Sequence, residues 1–305
     1  MRRGTAVALV VASAACFGTL AVLTSLAYDV GARPLPTLTW RFGIAAVAMA
    51  GYLLVRRPSS LRVGPRELAR FGVLSLTGYG AASLCFFFAL RHISPSVATV
   101  LLYTYPALIA LFEAASGRTR LHRATLAAIA LTFLGCVLVV GVLEHDITVS
   151  VPGVALALGA GVAYGVFTIL SDRLVPGRSR LVVMTYMFAI SAALMAGISM
   201  ATGETLSVAG WSARQWSLVL AIVAVPTIAA VVLYMGGIRR LGPARAALAS
   251  TTEPVFTIGM SWMLLGERLS VLQLLGTVLV VAGIILAERA EQSTPSAVTV
   301  DVPAI

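Results

Sequence analysis

The sequence predicts an all-α integral membrane protein: ten transmembrane helices arranged as two inverted five-helix repeats. Three observations carry this. The 305-residue chain is 59% hydrophobic and 11% charged, with a mean hydropathy of +0.96, whereas a soluble domain carries about 25% charged residues. So much apolar surface has lipid as its solvent. The chain is also written twice. Val7–Gly18 (VALVVASAACFG) matches Val154–Gly165 (VALALGAGVAYG), and Leu90–Pro106 (LRHISPSVATVLLYTYP) matches Ile238–Pro254 (IRRLGPARAALASTTEP), at offsets of 147 to 148 residues. Finally, each half holds five apolar runs close to the roughly 20 residues that cross a bilayer.

Span 1 covers about residues 4–26. Arg2-Arg3 before it imitates a signal peptide, and Ala14-Ala15-Cys16 faintly imitates a lipoprotein cleavage site. Its counterpart, Val154–Gly165, lies mid-chain, so span 1 reads as a retained helix. Span 2, about 36–55, follows Pro34 and Pro36 and carries Arg41 about one turn inside. Arg41 has two readings: an anion-binding group at the outer mouth, or, read first, a side chain snorkelling to the headgroups. Spans 3, 4 and 5 cover about 68–90, 96–116 and 124–142. Glu113 near the end of span 4 reads as a solvated partner of Arg118. The first repeat is 1–142, and an outer linker follows at 143–152.

The second repeat is 153–288, with spans at about 153–171, 181–202, 213–236, 244–265 and 271–288. Glu267 and Ser270 ahead of the last span read as helix capping groups. Residues 289–305 read as a disordered cytoplasmic tail. The formal charge is +10, and all 22 basic residues are Arg. With both termini in the cytoplasm, the outer side keeps five Arg (33, 41, 91, 214 and 268) and the cytoplasmic side takes the other 17. This follows the positive-inside rule and explains the basic balance with no nucleic acid as partner. An odd number of spans per half places the second half upside down relative to the first.

Inverted repeats place a binding site between the halves, and matched Gly/Pro interruptions point to it. Three pairs match here: Gly18 with Gly165, Gly78 with Pro226, and Pro106 with Pro254. The glycines read first as helix packing. The prolines read as cavity-lining kinks that leave the Leu102 and Ser250 carbonyls without their helical donors. Glu253 falls near the centre of span 9, where a carboxylate is costly. It is bonded to helix neighbours or faces a polar cavity beside Ser250, Thr251 and Thr252. Its counterpart is Tyr105. Tyr164 and Phe17, also counterparts, have two readings: plain packing, or an aromatic lining for an apolar or amphipathic substrate. Cys16, Cys85 and Cys136 lie in apolar stretches, and the three histidines occupy loops. No catalytic residue, metal site or cofactor is expected.

Two stretches carry a family resemblance: Arg239–Pro254 (RRLGPARAALASTTEP) and Gly266–Gly283 (GERLSVLQLLGTVLVVAG). With the span count they resemble the drug/metabolite transporter superfamily, EamA type, with two EamA domains in tandem. The first half departs from the pattern, with Thr119 at the place of Glu267 and Tyr105 opposite Glu253, so a symmetric carboxylate pair is not expected. The resemblance implies a central cavity lined by spans 1, 3, 4, 6, 8 and 9. It also implies secondary transport, without ATP, of a small metabolite such as an amino acid, a sugar, a nucleotide sugar or a xenobiotic. The expected protein is therefore a multi-pass exporter of the plasma (inner) membrane, working by alternating access on a small-molecule substrate. Protons are the candidate coupling ion, and a homodimer is left open. A non-transporting sensor or scaffold and an intramembrane enzyme are the alternatives.

Overall fold

The computed structural model describes residues 3–115, 123–141, 150–175, 177–208, 210–241, 246 and 249–293. Arg118, Thr119, the linker at 143–149, Gly242-Pro243 and the tail from 294 onward lie outside the described residues. Six helices are long and apolar enough to cross a membrane: Gly4–Asp29, Pro34–Arg56, Pro65–Ala89, Val151–Ser171, Arg180–Ala201 and Ala213–Arg239. They are spans 1, 2, 3, 6, 7 and 8. Span 5 is Arg123–Val140 and span 10 is Val271–Ser293. The last helix thus continues past 288, so residues 289–293 are helical and not part of a disordered tail. No strand occurs among the described residues.

Local chemistry sets the helix starts. Pro34, Pro65, Pro95 and Pro152 sit in the first turn of their helices, where the missing N–H has no helical acceptor to lose. The hydroxyls of Ser94 and Ser150 accept the N–H groups of Val97 and Gly153. Ser212 with Gln215, and Ser270 with Gln273, form reciprocal capping boxes. Gly266 ends the helix Glu253–Leu265 at φ +67°, a conformation that costs a residue without Cβ little.

Spans 4 and 9 are broken rather than kinked. Span 4 is Pro95–Leu102, a turn at Tyr103 and Thr104, then Tyr105–Ala115. Span 9 turns at Thr251 and Thr252, and Glu253–Leu265 follows. Pro106 and Pro254 therefore open the second half-helix of each span and do not interrupt a running helix. Spans 3 and 8 instead contain π-helical stretches at Ser75–Tyr79 and Val223–Ala229, around Gly78 and Pro226. Gly18 and Gly165 lie within the unbroken helices Arg3–Asp29 and Val151–Leu174, so they are packing positions and not breaks.

The packing exchanges the two halves. Span 2 lies on span 7 and span 5 on span 10; span 1 packs on spans 8 and 9, and span 6 packs on spans 3 and 4. Each contact has its repeat mate, as a pseudo-two-fold axis between the halves requires. Glycines let spans 5 and 10 touch backbone to backbone: a Cβ on Gly135 would stand 2.6 Å from the Gly276 carbonyl oxygen. Close approach of this kind replaces the hydrophobic effect as the source of helix association in lipid. The main core joins Phe42, Phe87, Phe188 and Met195, while Leu134, Trp262, Val271 and Val278 are exposed, as lipid-facing side chains are.

Candidate functional site

Glu253 is the first residue of its half-helix, and its partner belongs to the other half of the molecule. The Tyr103 hydroxyl lies 2.6 Å from Glu253 Oε2 and 3.4 Å from the Ser250 carbonyl oxygen. Among the described residues the partner seen for the Glu253 carboxylate is thus Tyr103 and not a helix neighbour. Both residues stand where their spans break: Tyr103 in the turn of span 4, Glu253 after the turn of span 9. The Ser250 carbonyl, expected to lose its helical donor to Pro254, is reached by that same hydroxyl. A tyrosine has one proton to donate and two acceptors here. An ionised Glu253 draws that proton to itself; a protonated Glu253 donates to Tyr103, whose own proton then turns to Ser250. The ionised state leaves the Ser250 carbonyl without that proton, whereas the protonated state satisfies all three groups.

The helices around this pair approach closely. A Cβ on Gly18 would stand 3.1 Å from the Glu253 carbonyl oxygen, and Thr257 Oγ1 donates to the Gly18 carbonyl across 3.2 Å. In the other half Gly165 faces Ile109 and Tyr105 of span 4, and Gly161 lets the Leu102 carbonyl approach span 6.

Aromatic rings continue from the pair. Tyr103 to Tyr105 is 6.0 Å between ring centroids, Tyr105 to Tyr164 is 4.9 Å, Tyr164 to Phe167 is 5.7 Å and Phe167 to Tyr79 is 5.7 Å. Tyr105, Tyr164, Phe167 and Tyr79 are all only partly buried. Phe17, the counterpart of Tyr164, instead packs against the main core and stands outside this series of ring contacts.

Arg41 closes the series at its other end. It does not snorkel: only 1% of its surface is exposed, two turns inside span 2. Its Nε donates to Thr227 Oγ1 across 2.9 Å, and its Nη2 reaches the Tyr79 hydroxyl at 3.5 Å. The guanidinium lies 5.0 and 5.3 Å from the ring centroids of Phe42 and Phe87, an arrangement that offsets part of the cost of burying the cation. Tyr79 and Thr227 are 148 residues apart and therefore repeat mates, one from each π-helical stretch. Arg41 thus bridges equivalent points of the two halves, while its own counterpart, 147 residues on, is Phe188. π-Bulges concentrate at functional sites, and here both turn toward one arginine.

Glu267 does not cap span 10. Ser94 and Ser96, at the start of span 4, both donate to its carboxylate, tying the two halves at that end, and Ser270 with Gln273 provides the cap. Glu67 and Arg178 tie the halves at the opposite end of span 3, with nitrogen and oxygen 3.0 Å apart. Sequence reading missed Tyr103, Tyr79 and Thr227. Each adjoins or nearly adjoins a flagged break (Pro106, Gly78 and Pro226), and that proximity was the available signal.

Two polar groups held by broken and π-bulged spans thus stand between the halves, where inverted-repeat transporters place their sites. Comparison with known proteins agrees. The model of the EamA-like transporter family matches residues 4–141 and again 151–288. The uncharacterized transporters YcbK and YyaM of Bacillus subtilis are 28% and 26% identical, covering 86% and 85% of this chain and 85% and 86% of their own. A solved crystal structure shares the fold at a TM-score of 0.67 and 23% identity, covering 96% of this chain and all of its own. With both halves matched over nearly their full length, the chain belongs to the EamA-like transporter family.

Proposed function

We propose that the protein is a secondary exporter of the plasma (inner) membrane, moving a small organic metabolite such as an amino acid or a drug-like compound by alternating access. Both termini face the cytoplasm, a placement supported by the 17-to-5 partition of arginines. Membrane lipid and the small-molecule substrate are its partners. The observation that carries the reading is the Tyr103–Glu253 hydrogen bond, 2.6 Å long and made between the breaks of two half-related spans. A carboxylate placed there meets anything that passes between the halves. It binds a substrate amine or a proton, and its protonation frees the Tyr103 proton for the Ser250 carbonyl, which the ionised state leaves without that donor. Proton coupling is energetically sufficient, since one elementary charge crossing the membrane is worth about 2.3 kcal/mol per 100 mV.

The test is a thermal-shift screen of the purified protein against amino acids, sugars, nucleosides and cationic drugs, followed by flux of each hit in proteoliposomes. Glu253→Gln should abolish flux or remove its dependence on pH. A variant with wild-type kinetics across pH 5 to pH 9 removes Glu253 from the mechanism, and binding without flux removes the carrier.

A further inference from the structure

Resting on this carrier reading, we propose that Arg41 is the binding site for an oxyanion, a carboxylate above all, on the transported solute. Three features set it apart from a structural arginine. It has no carboxylate partner: among the described residues the ion pair is Arg178 with Glu67. Its Nη1 is fully buried with no hydrogen-bond partner, although a buried donor left unmade is costly. Its Nε is held by Thr227 at 2.9 Å, while Nη2 has only the 3.5 Å contact to Tyr79. The guanidinium is therefore anchored through Nε, and its Nη1–Nη2 end is underused. That end is the fork that accepts the two oxygens of a carboxylate in parallel.

Polar side chains lie between it and one end of the molecule. Where span 1 ends, span 2 begins and span 3 ends, a depression of about 300 Å³ is lined by Tyr28, Asp29, Arg33 and Arg91 among others. Tyr28 lies within electrostatic range of both Arg91 and Arg41. Thr24 and Thr37 hold buried hydroxyls with no hydrogen-bond partner, and Thr37 is one helical turn from Arg41 on the same face of span 2. Of the five arginines assigned to the outer side, Arg33 and Arg91 line this depression beside Asp29, and Arg41 is buried two turns further along span 2. Exposed cations at a mouth raise the local concentration of anions, and the buried one receives them.

Taken with Glu253 at the far end of the aromatic series, the proposal narrows the solute to one bearing an anionic group, with or without an amine. Purified wild-type protein is titrated with leucine and phenylalanine, with their amides, with the corresponding acids lacking the amine, and with neutral sugars and nucleosides. Binding and proteoliposome flux are measured separately. The free acids should bind more tightly than the amides by roughly 10- to 100-fold, the range of a charge-assisted hydrogen bond. Arg41→Gln should erase that preference, and Arg41→Lys should keep part of it. Acids and amides that bind alike, or a panel with no binder, overturn the proposal, and the wild-type ratio decides even where the variants fail to fold. Arg41→Gln that lowers thermal stability with the preference intact makes Arg41 a brace between the π-helical stretches and also overturns it. Flux confined to amines or neutral solutes sinks Arg41 and leaves the carrier standing; acid-selective binding without flux does the reverse.

Discussion

At the scale of the residue, the central feature is a pair that no single half of the chain contains. Tyr103 and Glu253 are 150 residues apart, and their contact exists only because two broken spans meet between the halves. Sequence pattern located Glu253, since a carboxylate in an apolar run stands out. It could not locate Tyr103, because a tyrosine among TVLLYTYP is unremarkable until the facing helix is known. If the hydrogen bond is the reason Glu253 is tolerated there, the two side chains are energetically coupled. Tyr103→Phe and Glu253→Ala should each destabilise the protein, and the double variant should cost less than their sum by about 1.5–3 kcal/mol. The measurement is reversible denaturation in detergent; additivity within about 0.5 kcal/mol would dissolve the pair.

At the scale of the element, the matched interruptions were legible and their geometry was not. A proline fixes φ and removes a donor, but the same residue opens a half-helix at Pro106 and Pro254 and sits inside a π-helical stretch at Pro226. What decides is whether the preceding residues keep helical bonding, which depends on the neighbouring span. Glycine has the same ambiguity. Gly18 and Gly165, matched across the repeat, leave their helices intact and allow close packing. This makes glycine sites sharply unequal. A Cβ on Gly135 would stand 2.6 Å from the Gly276 carbonyl oxygen, and one on Gly276 the same distance from the Gly135 carbonyl oxygen. No rotamer relieves a backbone clash, so Gly135→Ala and Gly276→Ala should each cost about 1–3 kcal/mol. Gly259 meets nothing within 4 Å, so Gly259→Ala should be neutral or gain the helix preference of alanine, up to about 1 kcal/mol. Thermal melting in detergent compares the three, and equal melting points would mean that spans 5 and 10 are not in this contact.

At the scale of the whole molecule, the repeat offset was the strongest signal in the chain, because a two-fold arrangement follows from it without knowledge of any side-chain contact. Among the described residues the main contacts obey it, with spans 2 and 7 and spans 5 and 10 paired to their own mates and spans 1 and 6 exchanging equivalent neighbours. What breaks the symmetry is chemistry: Glu253 opposite Tyr105, and Arg41 opposite Phe188. The scaffold is therefore duplicated and the polar groups are not, which is why the repeat disclosed the architecture and left the site to single residues. Inversion has a further consequence that can be measured. Ser59 follows span 2 and Thr205 follows span 7, both exposed, so they occupy equivalent places in the two halves. Five spans per half send these loops to opposite faces of the membrane, and the arginines around Ser59 (56, 57, 62 and 66) assign its loop to the cytoplasm. In a background with Cys16, Cys85 and Cys136 replaced, an impermeant maleimide added to intact cells should label Thr205→Cys, and should reach Ser59→Cys only after permeabilisation. The reverse pattern would turn the protein over in the membrane, and labelling of both from one side would remove the inversion on which a site between the halves depends.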